Sequence, residues 1–148
     1  MITVLMGAPG AGKSTWLHKN KSPGAYIYNT EAVRTNPGID VAAFMRYERI
    51  KAIEAAKAGI DVICDGTHTI LGHRLVWLTV ARTLGISTRL IVFDTPLICL
   101  LSAQKERLYP APHKVVVDHY RRLEAQKQLI HNEPWDSIEV IVRGLDAK

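Results

Sequence analysis

The 148 residues are 47% hydrophobic and 22% charged, an ordinary globular composition that excludes a disordered or collagen-like chain. The apolar opening is far too short to span a bilayer and carries no basic leader or small-residue cleavage site, so a cytoplasmic location without a membrane partner is expected. The length suits one domain over residues 1–148, and the net charge of +5 favours a polyanionic partner only weakly, because any phosphate site also needs cations.

In chain order, an apolar run at Ile2–Met6 reads as a strand and leads into Gly7-Ala8-Pro9-Gly10-Ala11-Gly12-Lys13-Ser14-Thr15, which fits the Walker A pattern G-x-x-x-x-G-K-[ST] at every required position. The glycines let backbone N–H groups wrap a nucleotide triphosphate. Lys13 supplies a point charge near the transferable phosphate, and the Ser14 hydroxyl suits Mg²⁺. The helix expected over Lys13–Lys19 aims its positive end at the same anion. Further strands are predicted at Ala25–Tyr28, Asp61–Cys64, Thr88–Phe93 and Ser137–Val142. The helices between them are predicted at Val41–Ala58, Leu71–Leu84, Leu97–Arg107 and Val115–Ile130, the first two ended by Gly59 and Gly85. Alternating strands and helices imply a doubly wound α/β layer, a five-stranded parallel sheet with helices on both faces and the ligand at the carboxyl ends of the strands. In the long helix, Ala42, Met45, Ile50, Ile53 and Ala56 form the expected buried stripe and Arg46, Glu48, Arg49, Lys51 and Glu54 the solvated face. Pro110 and Pro112 break the pattern between two helices and mark Glu106 to His113 as a small lid.

Chemistry at the other strand ends narrows the possibilities. Glu31 and Arg34 are three residues apart and can share one helical face, where the acid can take a proton from an attacking hydroxyl and the base can offset charge on the acceptor. Asp65 stands at a strand end in the Walker B position, suited to hold Mg²⁺ directly or through water, and Gly66-Thr67-His68 continue as a polar turn. Cys64 and Cys99 lie in apolar stretches without metal-ligand spacing and read as reduced core thiols. His18, His119 and His131 read as surface histidines and His113 as a loop histidine. Tyr26 and Tyr28 alternate on a strand, so one is expected in the core and the other at an edge.

Over almost its whole length the chain resembles the 5′-kinase domain of phage polynucleotide kinase and related P-loop kinases. The resemblance is carried by the loop Gly7–Thr15 with Trp16, by Glu31-x-x-Arg34, Asp65-Gly66-Thr67, Arg74-Leu75-Val76-Trp77, Val92-Phe93-Asp94-Thr95-Pro96 and Arg107. It implies that Glu31 is the general base, that Arg34 contacts the acceptor phosphate, that Asp65 belongs to the active site, and that Arg107 is a lid arginine reaching the donor phosphates. Three positions depart from the pattern. Glu31 stands where that family usually has Asp; Ala103-Gln104 replace a lid Arg-Asn pair, which removes one cation unless Lys105 substitutes; and His68 stands where Asn is common.

The resemblance therefore implies an ATP- and Mg²⁺-dependent kinase with a nucleic-acid acceptor, first a 5′-hydroxyl end of DNA or RNA. Lys13, Glu31, Arg34, Asp65 and Arg107 would be its catalytic residues, Gly7 through Thr15 with Arg107 would bind the nucleotide, and Ser14 and Asp65 would hold the metal. The alternatives are a kinase of hydroxymethyl groups on modified pyrimidines in DNA, a small-metabolite or nucleotide kinase, and a nucleotide-dependent switch without transfer activity.

Overall fold

A computed structural model describes residues 1–143, apart from the side chains of Glu31 and Arg34. It contains one parallel sheet of five strands, β1 (Ile2–Met6), β2 (Tyr26–Asn29), β3 (Val62–Asp65), β4 (Thr88–Asp94) and β5 (Ser137–Val142), in the order β2-β3-β1-β4-β5. The helices are α1 (Lys13–Asn20), α2 (Glu31–Thr35), α3 (Val41–Lys57), α4 (Leu71–Leu84), α5 (Leu97–Gln104) and α6 (His113–Gln126), with a 3-10 turn at Leu129–Asn132.

The period of two along each central strand builds two cores. Ile2, Val4 and Met6 of β1, Val62 and Cys64 of β3 and Leu90 and Val92 of β4 meet Ala52 and Ala56 of α3 and Trp77, Leu78 and Ala81 of α4. On the opposite face, Leu5, Ile63, Ile91 and Phe93 meet Leu100 of α5, Val116 of α6 and the loop residues Ala8 and Ala11. Burial on both faces explains why β1 is apolar at every position but Thr3 rather than alternating. β5, at the sheet edge, is the exception, with exposed Val140 and Val142.

The two tyrosines do not divide between core and edge: two positions apart, they share one face of β2, Tyr28 buried edge-to-face against Trp77 at 4.9 Å between centroids and half-buried Tyr26 packed against the same core while donating its hydroxyl to Glu48 at 2.8 Å. Burial and that carboxylate push the Tyr26 phenol up to about 12.

Four further local expectations are corrected. The α3 stripe holds at Ala56, which is buried, and at Met45, which packs against the core, but Ala42 and Ile50 are exposed, while Ala52 is buried and Glu48 of the expected solvated face turns to Tyr26. The lid helix stops at Gln104 rather than Arg107, since the Gln104 amide caps the turn that follows instead of continuing the helix. His113 opens α6 rather than lying in a loop, Pro112 preceding it at the cap. The helix expected through Ile130 ends at Gln126 and tightens into the 3-10 turn.

Candidate active site

All the strands point their carboxyl ends at one cleft of about 950 Å³, and its walls come from four of them. The loop after β1 forms the floor. Gly10 and Gly12 have φ of 90° and 100°, values that side chains rarely adopt, and a Cβ on Gly10 would sit 2.7 Å from Gln104 Nε2. Gly12 ends the loop as the cap of α1, so the first N–H groups of that helix face the cleft with no acidic residue in the first turn to compete for them.

The loop is held from three sides. Gly7 N–H donates to Thr67 O at 2.9 Å, Thr95 Oγ1 donates to Ala11 O at 3.2 Å, and Gln104 Nε2 donates to Pro9 O at 2.9 Å. Lys13 Nζ donates to Gly7 O at 2.6 Å and Ala8 O at 3.0 Å, which keeps the ammonium inside the ring of loop amides. Gln104 is the joint between loop and lid: its Oε1 accepts from Ala111 N at 3.0 Å and from Arg107 Nη1 at 3.5 Å. Sequence reasoning treated Gln104 as the loss of a lid group. Its burial and its bonds to both loop and lid give it a structural task instead.

Opposite Lys13, β2 and β3 end side by side, with Asn29 in register with Asp65, and Asn29 Nδ2 donates to Asp65 Oδ2 at 3.1 Å. Both strands end one residue later than the pattern suggested, and that shift places Asn29 in the cleft wall with Thr30. The sequence signal for Asn29 was its place just before Glu31. α2 starts at Glu31, directly after the cleft-lining Thr30, while the side chains of Glu31 and Arg34 lie outside the described residues. Lys13, Ser14, Thr15, Asp65 and Arg107 all line the one cleft. Mg²⁺ characteristically takes one or two protein oxygens and completes its shell with phosphates and water, and Ser14 and Asp65 offer one hydroxyl and one carboxylate on facing walls.

Other singled-out residues lie elsewhere. Arg74 does not reach the cleft; it is fully buried, pairs with Glu133 through two bonds of 2.9 and 2.7 Å, and donates to His68 O and Gln126 Oε1 at 2.9 and 2.6 Å. Trp16 packs edge-on against Phe93. Cys64 is a core thiol, as expected, whereas Cys99 stands half-buried in the cleft wall. His119 is not a surface histidine: Thr69 Oγ1 and Arg122 Nη2 lie 2.7 and 2.9 Å from its Nδ1. His68 turns away from the cleft into the sheet, with φ of 47° and Nδ1 2.8 Å from Leu5 O.

Burial pushes His68 down from the usual 6.5 to about 4, so the imidazole is neutral at pH 7. Because the folded value lies below the unfolded one, His68 contributes stability that is complete above about pH 6.5 and is lost as pH falls toward 4, with a slope of up to about 1.4 kcal/mol per pH unit. His68→Asn, which tolerates the left-handed backbone, should flatten that dependence. Melting temperatures at pH 7.5 and 5 check it; equal acid sensitivity in both proteins would refute the assignment.

With this geometry, comparison with known proteins is informative. A family profile described as AAA domain (AAA_33) matches residues 2–130. The chain belongs to that family. No match was found among curated proteins. Among solved structures, a chain of the AvrRxo1-ORF1:AvrRxo1-ORF2 complex superposes with a TM-score of 0.74 at 13% identity; the match covers 100% of this chain and 56% of the other, so this chain spans little more than half of its length. Deoxyadenosine kinase from M. mycoides with bound dATP gives a TM-score of 0.57 at 16% identity, covering 94% of this chain and 91% of the other. A sugar kinase from Janibacter sp. HTCC2649 gives 0.59 at 21% identity, covering 95% and 84%. At these identities the likeness is one of fold: this AAA domain has a P-loop kinase-like architecture, broader than the polynucleotide kinase resemblance in its sequence. Among the described residues, no helix is long and apolar enough to cross a membrane.

Proposed function

We propose that this AAA-family chain, over residues 1–148, is an ATP-dependent phosphotransferase that moves the γ-phosphoryl group to an alcohol, the first acceptor being a 5′-hydroxyl end of DNA or RNA. The observation that carries the reading is the meeting of the Walker A loop, Asp65 and Asn29-Thr30, the residues that lead into α2, in one cleft. A switch needs the first two; a transferase also needs a third wall for a second substrate.

In this reading the amides at the start of α1, Lys13 and Arg107 hold the donor phosphates and offset the charge that develops on transfer. Mg²⁺, held by Ser14 and Asp65, would neutralise further phosphate charge. Glu31 takes the proton of the acceptor hydroxyl as its oxygen bonds to the γ-phosphorus, and the bond to the ADP oxygen breaks with its electron pair staying on ADP. Arg34 holds the acceptor's phosphate. Glu31→Gln keeps the shape but loses proton affinity, so transfer should fall roughly 10²-fold or more at unchanged ATP affinity. Equal loss of ATP binding would assign Glu31 to the donor site instead.

A second reading is favoured by the hollow beside the cleft, about 610 Å³, lined by Asn29, Ala32, Thr35, Asn36 and Tyr109. Its volume is that of a small-molecule site, and none of the described residues lining it is charged. A free nucleoside suits it as well as the terminal nucleoside of a polymer. The experiment that decides is transfer of radiolabelled phosphate from ATP to 5′-hydroxyl oligonucleotides, hydroxymethyl-pyrimidine DNA, free nucleosides and sugars. A polymer acceptor should also lose affinity steeply with salt and a neutral nucleoside should not. A preference for the nucleoside replaces the nucleic-acid reading, and labelling confined to internal hydroxymethyl bases points to base modification.

A further inference from the structure

The cleft contains a cation outside every motif in the sequence. Arg143 follows β5, and its backbone N–H donates to Asp94 O at 3.0 Å, which fixes the residue at the carboxyl edge of β4. From there the side chain reaches across to the Walker A loop. A Cβ placed on Gly12 would lie 2.8 Å from Arg143 Cζ and closer still to Nη1, so the guanidinium rests on the bare Cα of the α1 cap. Arg143 shares the cleft wall with Lys13, Ser14 and Arg107. Among the described residues its guanidinium has no ion-pair partner, in contrast to Arg74, whose charge is consumed by Glu133. The lid adds no second cation of its own: Gln104 is occupied with Pro9, Leu100 and Ala111, and Lys105 is exposed and outside the cleft lining.

We infer that Arg143 is a donor-phosphate-binding residue, delivered by the end of β5 to the N-terminus of α1. This rests on the reading of the cleft as a nucleotide site. The guanidinium fork suits phosphate oxygens, and the loop's own amides and Lys13 approach the same phosphates from the floor. A third cation at this point closes the cleft on the side opposite Asp65. It also gives Gly12 a second reason to lack a side chain, beyond its φ of 100°. The residue is invisible to motif reading because it is 130 positions from Lys13 and becomes its neighbour only through the order β1-β4-β5.

The test is competition against a fluorescent ATP analogue by MgATP, MgADP, adenosine and inorganic tripolyphosphate, for the parent protein, Arg143→Ala and Arg143→Lys. Arg143→Ala should weaken MgATP, MgADP and tripolyphosphate roughly tenfold or more, leave adenosine unchanged, and leave the melting temperature without nucleotide unchanged; Lys should restore part of the loss. Equal weakening of adenosine and ATP with tripolyphosphate unaffected would place Arg143 on the base and overturn the inference, as would no change in any ligand. Failure of the parent protein to bind any nucleotide would instead remove the nucleotide-site reading, and the inference with it.

Discussion

Lys13→Ala should abolish phosphoryl transfer to every acceptor, whichever hydroxyl attacks. Its ammonium already sits inside the ring of loop amides, bound to Gly7 O and Ala8 O, at the start of the helix whose N-terminus faces the cleft. A charge preplaced in a site of fixed dipoles needs no reorganisation when negative charge moves from the γ- to the β-phosphate, so its removal should cost roughly 10³-fold or more in rate. Because Lys13 belongs to neither hydrophobic core, the variant should melt close to the parent. Single-turnover transfer with saturating acceptor measures the effect, and near-normal turnover would remove the P-loop assignment. The loss should be the same for an oligonucleotide, a nucleoside and a sugar, which separates this donor-side change from substitutions at Glu31 or Arg34.

Arg74→Ala should be the most destabilising single change among the residues singled out by sequence. The buried guanidinium makes two bonds to the Glu133 carboxylate and one each to His68 O and Gln126 Oε1, linking α4, the turn after β3, the end of α6 and the segment before β5. Removing it strands a largely buried carboxylate whose remaining described partner is Trp135 Nε1 at 3.0 Å. Breaking a buried pair from one side costs roughly 3–5 kcal/mol, and for a chain of this size that lowers the melting temperature by about 10 °C or more. Lys in its place cannot make the planar fork and should recover little. Urea unfolding at constant m-value measures it; a loss below about 1 kcal/mol would show that the network is not what holds these elements. The turn it anchors also provides Thr67 O to Gly7 N–H, so partial loss of activity should accompany the loss of stability rather than precede it.

Local patterns determined much of this protein. The apolar runs of β1 and β4 are buried on both faces and therefore announce central parallel strands, and the loop from Gly7 to Thr15 announces itself because left-handed glycines and a lysine at fixed spacing have few other uses. The positions of Lys13, Ser14 and Asp65 were legible because each follows a strand or opens a helix at an expected place, and that of Arg107 through the family resemblance; all four line one cleft. Tertiary structure decided what depends on neighbours distant in sequence. His68 and His119 look like polar-turn and surface residues until the sheet and α6 close over them; Gln104 looks like a missing lid group until the loop binds its amide; Arg74 is only part of a family resemblance until Glu133 arrives 59 positions later and gives it a buried partner. Arg143 has no motif at all. A residue's chemical type is local, but its partners and its burial are fixed by which strands the topology sets side by side, and no local window contains that information.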